Sequence, residues 1–218
     1  MPIWWHVIVA VLVVALVQAL AVKLYQVPSA SMEQTLTPGD RLLVNRLAHV
    51  VSDPGRGEIV VFEASADWRG GTASADDSAL VAAVKWLGDL VGIGPGTGGA
   101  LVKRIIGLPG ETIACCDAGG RVTVDGDPID EPWIFEDPPF VPGESDCSSE
   151  VRSQRCFEPV TVPDDSYLVL GDHRSASADS VIGCRGSPVS DCARFVERDA
   201  IVGRAVAVLL PFAHWRGL

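Results

Sequence analysis

Serine and a lysine in apolar surroundings are the residue types here that could together form a nucleophilic centre. A serine hydroxyl is a weak nucleophile until a base takes its proton, and an amine is a base only when it is neutral. Lysines are scarce, because only Lys23, Lys85 and Lys103 occur among the 17 basic residues. Lys103 lies in the apolar run LVKRII at 101–106, where burial would lower the pKa of its amine. From the pattern alone, a surface lysine at a strand edge explains Lys103 equally well.

Other nucleophilic or metal chemistry has weaker support. The histidines are His6, His49, His173 and His214, and they form neither an H-x-x-x-H nor an H-E-x-x-H pattern, so a metal centre is not predicted. A Ser-His-Asp triad could be assembled around His173, but the sequence contains no G-x-S-x-G nucleophile elbow. A serine with a lysine base is therefore the better-supported interpretation.

Four segments resemble the signature motifs of type I signal peptidases and occur in that family's order. The matching segments are Pro28–Met32 with Thr35-Leu36 and Gly39-Asp40, then Lys103–Glu111, Gly171–Ser180 and Val202–Ala205. The Cys-bearing inserts also resemble those of actinobacterial members. The resemblance implies an enzyme that removes signal peptides from secreted preproteins at the outer face of the cytoplasmic membrane, without a metal or organic cofactor.

The resemblance also implies a role for individual residues. Ser31, directly before Met32, matches the nucleophile, and Lys103 matches the general base. Ser29 matches the serine whose hydroxyl joins the Ser31 backbone N–H in the oxyanion hole, where negative charge develops during the reaction. Ser177 matches the serine that orients the lysine, and Asp179 matches a structural acid. The alternative is that Ser29 and Ser31 are ordinary turn serines.

The third motif departs from the family pattern at three positions, one of which is His173, where Asn is common. Ser175 stands where an acid is usual, and Val181 stands where an arginine would normally pair with the acid matched by Asp179. Arg104 or Arg174 could replace the missing arginine. The departures leave open a second interpretation, an inactive membrane-anchored relative that acts as a peptide-binding module.

The implied partners are secretory preproteins and membrane lipid. Substrates of the family have small residues one and three positions before the cleaved bond. An extended peptide along a strand edge would place those alternate side chains in neighbouring pockets.

An apolar N-terminal segment, residues 3–22, contains no Asp, Glu, Lys or Arg. Twenty such residues can span the hydrocarbon core of a membrane as a helix, and we predict an uncleaved transmembrane anchor. A cleaved secretory signal is the alternative, but it would have a basic n-region and a shorter apolar stretch. Residues 27–218 then form an extracytoplasmic catalytic domain, and the anchor is single-pass.

Six cysteines follow the anchor and indicate the compartment. Cys147 and Cys156 bracket one short polar stretch, and Cys184 and Cys192 bracket another, so we predict two disulfides and an oxidising environment. Adjacent Cys115 and Cys116 could remain reduced. Six cysteines allow fifteen pairings, and six free thiols in a reducing cytosol are the alternative.

The elements that must position these residues are mainly β. The predicted class is one N-terminal transmembrane helix followed by a β-sheet-rich signal-peptidase-like catalytic domain with a helical insertion. Predicted strands cover 42–44, 58–63, 101–106, 121–129, 166–170 and 201–210. Insertions are expected at about 64–99 and 131–159. Within the first, 76–91 has helical periodicity and would cover the β core or lie on a membrane surface.

Charge excludes one class of function. The net charge is −11, with 17 basic against 28 acidic residues and no basic block, so a nucleic-acid-binding protein is not predicted. A self-cleaving repressor shares Ser-Lys chemistry, but it is cytosolic and carries a DNA-binding domain. The acidic balance and the apolar N-terminal segment both argue against it.

Overall fold

The computed structural model describes residues 3–68, 99–189 and 191–218. The mainly β class is confirmed within these ranges. The strands are β1 (Val22–Gln26), β2 (Arg41–Asn45), β3 (Ile59–Glu63), β4 (Ala100–Gly107), β5 (Thr112–Cys115), β6 (Val122–Val124), β7 (Asp127–Pro128), β8 (Phe157–Thr161), β9 (Ser166–Leu170), β10 (Val196–Glu197), β11 (Ile201–Leu210) and β12 (Arg216–Gly217). The predicted strands at 166–170 and 201–210 coincide with β9 and β11.

The strands form two antiparallel sheets. The larger sheet has the order β1-β2-β11-β3-β4-β9-β10, with β12 also paired to β11, and the smaller has the order β7-β6-β5-β8. Strand β4 therefore lies inside the larger sheet, between β3 and β9. Its Lys103 is opposite Val60 of β3, and its Arg104 is opposite both Ile59 and Leu170.

Strand β4 is buried on both faces. Alternation along this strand would place Leu101, Lys103 and Ile105 on one face and leave the other exposed, but every residue from Val102 to Gly107 is buried. Val102, Ile105 and Ile106 belong to three different apolar clusters. A strand covered on both sides carries a continuous apolar run, which is how Lys103 comes to lie in the protein interior.

The predicted transmembrane helix over 3–22 is wrong. Helix α1 spans Ile3–Leu20, which is 18 residues or about 27 Å, against about 30 Å for a hydrocarbon core. The chain then enters β1, where Val22 pairs with Asn45 of β2. Within residues 3–68, 99–189 and 191–218, the structure contains no helix that is both long enough and apolar enough to cross a membrane.

The other described helices are short. They are α2 (Ala48–Val51) and the 3₁₀ helices Ala30–Met32, Ala66–Trp68, Arg174–Ala176, Arg198–Ala200 and Phe212–His214. The predicted helix at 76–91 lies outside the described residues, as does most of the insertion at 64–99. The second predicted insertion, 131–159, is irregular until β8 begins at Phe157, and Pro159 is accommodated because β8 is an edge strand.

All six cysteines are paired. Cys147–Cys156 and Cys184–Cys192 are disulfides with Cα–Cα distances of 5.4 and 5.2 Å, which confirms both predicted pairs. Cys115 and Cys116 are also bonded to each other. The expectation that these two could remain reduced is wrong for this structure, because the adjacent residues at the end of β5 bring their sulfur atoms together.

Candidate active site

Ser31 lies in the connection between β1 and β2. The two strands pair as far as Gln26 and Arg41, and the intervening loop contains the 3₁₀ helix Ala30–Met32. Met32 and Leu36 are buried in the adjoining apolar cluster, and the Leu36 backbone N–H donates to the Met32 carbonyl. These contacts fix the turn, so that Ser31 is buried in a defined position.

The side chain of Lys103 reaches this turn from the sheet. Its Nζ lies 2.6 Å from the Ser31 Oγ, and Nζ also donates to the Val102 carbonyl at 3.2 Å. Lys103 is only 3% exposed, which resolves the question left open by the sequence pattern: it is not a surface lysine. An amine and a hydroxyl at this distance can exchange a proton directly.

Burial changes the proton affinity of this amine. Desolvation lowers the pKa of Lys103 from 10.5 to about 8, because the interior disfavours the charged ammonium. The carboxylates of Asp179 and Asp172 act in the opposite direction, while the positive charge of Arg194 lowers the pKa further. Near neutral to mildly alkaline pH, a useful fraction of Lys103 is therefore neutral and can accept a proton.

Two further serines lie close to the reacting pair. The Ser29 hydroxyl is 3.3 Å from the Ser31 Oγ, on the exposed side of the turn. Ser177 is buried, and its Oγ has no hydrogen-bond partner among the described residues. A Cβ on Gly171 would lie 2.2 Å from the Ser177 Oγ and 2.4 Å from the Ser31 carbonyl oxygen, so glycine is required where these two groups approach. The predicted lysine-orienting role of Ser177 stays a prediction.

Asp179 is fully buried and has a partner that the sequence analysis did not identify. Its carboxylate accepts a hydrogen bond from the Arg185 guanidinium at 2.9 Å. The suggested substitutes are engaged elsewhere: Arg104 pairs with Asp172, and Arg174 pairs with Glu131. The suggestion that either of them replaces the missing arginine is wrong. The position of Arg185, directly after Cys184 at the start of a predicted disulfide loop, was the available signal.

Comparison with known proteins identifies the family. A family model described as "Signal peptidase, peptidase S26" matches residues 2–210. The chain belongs to this signal peptidase family. The probable signal peptidase I of Mycobacterium leprae is 30% identical, with 99% of this chain and 79% of the relative covered. The signal peptidase I of Mycobacterium tuberculosis is 30% identical over 95% of this chain and 71% of the relative.

Two further similarities are more distant or shorter. A probable signal peptidase I of Synechocystis is 35% identical, with 85% of this chain and 62% of the relative covered. The match to a solved signal peptidase I structure from Enterococcus faecalis covers 70% of this chain and 97% of the Enterococcus chain, at 21% identity and a TM-score of 0.37. The family assignment makes this chain a serine peptidase.

Among the described residues, three cysteine sulfur atoms form the group that most resembles a metal site. Those of Cys116, Cys147 and Cys156 lie within 4.8 Å of one another. All three are in disulfides, however, and metal ions are bound by thiolates. This cluster therefore has no ligand atoms to offer in its oxidised form.

Proposed function

We propose that this protein removes N-terminal signal peptides from secreted preproteins, with Ser31 as nucleophile and Lys103 as general base. The observation that carries the assignment is the 2.6 Å contact between the Ser31 Oγ and the Nζ of a lysine that is 3% exposed. Membership of the signal peptidase family supports the choice of substrate.

The proposed reaction begins with proton transfer. Neutral Lys103 takes the proton of Ser31, and the Ser31 Oγ attacks the scissile carbonyl carbon. The resulting oxyanion accepts hydrogen bonds from the Ser31 backbone N–H and the Ser29 hydroxyl. Lys103 then gives its proton to the leaving amine, which breaks the peptide bond and leaves an ester on Ser31.

Hydrolysis of the ester completes the cycle. Lys103 is neutral again after the amine leaves, and it takes a proton from water as the water oxygen adds to the ester carbon. It returns this proton to the Ser31 Oγ when the ester bond breaks and the acid product leaves. We assign Ser177 to orienting the lysine, which its burial and its proximity to the Ser31 backbone through Gly171 support. We assign Asp179 to maintaining the charge balance around Lys103, as its effect on the lysine pKa suggests.

We also propose a preference for small residues one and three positions before the cleaved bond. Side chains of an extended peptide alternate, so these two positions face the same side of the bound substrate. A peptide series with Ala, Val and Phe at each position would test the preference. Equal cleavage of all members would contradict it.

The proposed location is the extracytoplasmic side of the cytoplasmic membrane. Three disulfides support an oxidising compartment, and α1 exposes apolar side chains from Ile3 to Val14, which favours contact with lipid. Protease accessibility in spheroplasts and non-reducing peptide mapping would test this location. Free thiols at Cys147, Cys156, Cys184 and Cys192 would contradict it.

A cleavage assay with purified full-length protein and a preprotein tests the function itself. We expect Ser31→Ala and Lys103→Ala to abolish cleavage, and Lys103→Arg to fail because a guanidinium does not lose its proton. Ser175→Ala and Lys23→Ala are the matched controls and should remain active, since neither residue belongs to the proposed mechanism. An inactive peptide-binding module would instead bind the preprotein without cutting it, and wild type and Ser31→Ala would then behave alike.

A further inference from the structure

An arginine lies close to each cysteine of the Cys184–Cys192 disulfide, and both arginines contact Asp179. Arg185 follows the first cysteine and donates to the Asp179 carboxylate at 2.9 Å. Arg194 lies two positions after the second cysteine, and its Nε donates to the Asp179 backbone carbonyl at 3.0 Å. One disulfide thus ties together two segments that converge on a single buried acid.

Both segments are held firmly against the protein. Cys184 is fully buried in the apolar cluster that also contains Val181, and its backbone N–H donates to the Val181 carbonyl. The Arg194 backbone N–H donates to the Ser180 carbonyl, and its guanidinium stacks 4.2 Å from the centre of the Trp68 ring. The side chain of Arg185 is 8% exposed. The Arg185 charge is therefore shielded from water, whereas the Arg194 side chain is partly exposed.

Asp179, which both arginines contact, influences the proposed base Lys103. Three charged groups influence the pKa of Lys103, namely Asp172, Asp179 and Arg194. Asp172 is paired with Arg104, and Asp179 is paired with Arg185. Of the two carboxylates, Asp179 has the larger effect on the ammonium form of Lys103. Any change in the neutralisation of the Asp179 carboxylate should therefore change the pKa of Lys103.

We propose that the Cys184–Cys192 loop is a positioning element for catalysis: the disulfide holds Arg185 and Arg194 on Asp179, and Arg185 sets the net charge presented to Lys103. The inference rests on the proposed function of Lys103. Arg185 and Arg194 are positioning residues, because they act on the base through Asp179 or by charge.

The sign of the effect follows from the charges. Without Arg185, the negative charge of Asp179 is less neutralised and favours the ammonium form of Lys103, which raises the pKa of the lysine above about 8. A smaller fraction of the base is then neutral at pH 7. Activity should fall near neutral pH and recover at alkaline pH, where the lysine loses its proton in both proteins.

The first test compares Arg185→Gln, Arg185→Lys and the control Arg152→Gln, which removes a partly exposed arginine–carboxylate pair with Glu158 that does not involve Asp179. For Arg185→Gln we expect the rising limb of kcat/KM against pH to move alkaline by about half to one unit, a loss of about 3- to 10-fold at pH 7. Arg185→Lys should restore most of the shift, and Arg152→Gln should match wild type. An unmoved limb, an acidic shift or an equal loss at every pH would overturn the proposal.

The second test addresses the disulfide. The double substitution Cys184→Ala/Cys192→Ala should give the same alkaline shift. The control, Cys147→Ala/Cys156→Ala, removes a disulfide that closes a loop of similar length and should leave the activity limb unmoved. The two loops are joined by a hydrogen bond from Gly186 N–H to the Cys156 carbonyl, which the control substitutions leave in place. If Cys184→Ala/Cys192→Ala fails to fold by circular dichroism, the two Arg185 variants still decide the question.

A third readout does not require activity. The chain has only three lysines, so selectively labelled lysine gives few NMR signals, and Lys103→Arg assigns the one of interest. In the Ser31→Ala background, Arg185→Gln should raise the midpoint of the Lys103 titration by the same half to one unit. An unchanged midpoint overturns the positioning role, while a shifted midpoint together with a wild-type protein that cleaves no preprotein would refute only the proposed function.

Discussion

Two buried acid–arginine pairs act on the lysine, and they are built in different ways. In the first, Arg104 neighbours Lys103 on β4 and binds Asp172 with two hydrogen bonds, at 2.8 and 2.6 Å. In the second, Arg185 comes from a disulfide-closed loop and donates one hydrogen bond to Asp179, at 2.9 Å. The first pair is part of the sheet, and the second is brought to it.

The surroundings of each pair indicate what it does. Arg104 also donates to the Gly57 carbonyl and to the Thr35 hydroxyl of the nucleophile loop, so its pair joins β4 to neighbouring segments. Asp179 has the stronger influence on Lys103. The comparison suggests a division of labour, in which the sheet pair mainly holds the structure together and the loop pair mainly tunes the base.

The largest effect should follow from breaking the sheet pair. Asp172→Ala leaves the Arg104 guanidinium buried without its carboxylate, and losing one partner of such a pair costs about 3–5 kcal/mol in the free energy of unfolding. Urea unfolding at pH 7 measures the loss. Glu158→Ala is the control, since its pair with Arg152 is partly exposed and should contribute about 1 kcal/mol or less. Equal losses for the two variants would mean that burial of the sheet pair is not decisive.

The next effect concerns the lysine between the two pairs. Since the pKa of Lys103 falls from 10.5 to about 8 on folding, the unfolded chain binds more protons between these values, and stability rises with pH through that window. At pH 7 the buried ammonium costs about 3 kcal/mol, as an order of magnitude. Lys103→Met, which lacks the charge, should therefore be more stable than wild type at pH 7.

The advantage of Lys103→Met should shrink at higher pH. Above about pH 8 the wild-type lysine becomes neutral in the folded state, and its burial penalty declines. Urea unfolding of both proteins at pH 7 and pH 9.5 gives the difference at each pH. A difference that stays constant would show that the two carboxylates already offset the desolvation of the ammonium.

A third prediction sets the two acids against each other. Each carboxylate raises the pKa of Lys103, Asp179 more than Asp172, so removing either charge lowers the pKa and moves the activity limb to lower pH. We expect a shift of about one unit for Asp179→Asn and less for Asp172→Asn. Loss of stability should follow the reverse order. If the same variant had the larger effect in both measurements, the proposed difference in role between the two pairs would be wrong.

Much of the sheet could be predicted from local pattern. The run at 101–106 is rich in β-branched and apolar residues, which favours a buried strand, and β9 and β11 have the same character. The N-terminal segment was harder, because the uncharged apolar run continues past the end of α1 to Val22, the first residue of β1. What ends the helix at Leu20 is pairing of Val22–Gln26 with β2, and such a partner is invisible in a local window.

The site divides in the same way. Ser31 and Lys103 could be named from motif resemblance, and the structure brings their side chains within 2.6 Å. The partner of Asp179 could not be named, because it depends on how a loop folds back rather than on motif spacing. Arg104 and Arg174 are nearer to the motifs in sequence, yet each is bound by a different acid.

The smallest predicted effect tests what lies beneath the sheet pair. The Arg104 guanidinium is 4.4 Å from the centre of the Trp133 ring, which is itself partly exposed, and a cation–indole contact of this kind contributes about 1 kcal/mol. Trp133→Phe keeps an aromatic face and removes an indole N–H that is buried without a partner among the described residues, so it should change stability by less than about 0.5 kcal/mol.

Trp133→Leu keeps apolar bulk but removes the aromatic face, and it should lose about 1 kcal/mol more than Trp133→Phe. Urea unfolding of the two variants at pH 7 gives this difference, which isolates the cation–aromatic contact better than either variant compared with wild type. Neither substitution should move the activity limb, since Trp133 carries no charge and Asp179 is untouched. Equal stability of the two variants would mean that the ring only fills space beside Arg104, and that Asp172 accounts for the strength of the sheet pair.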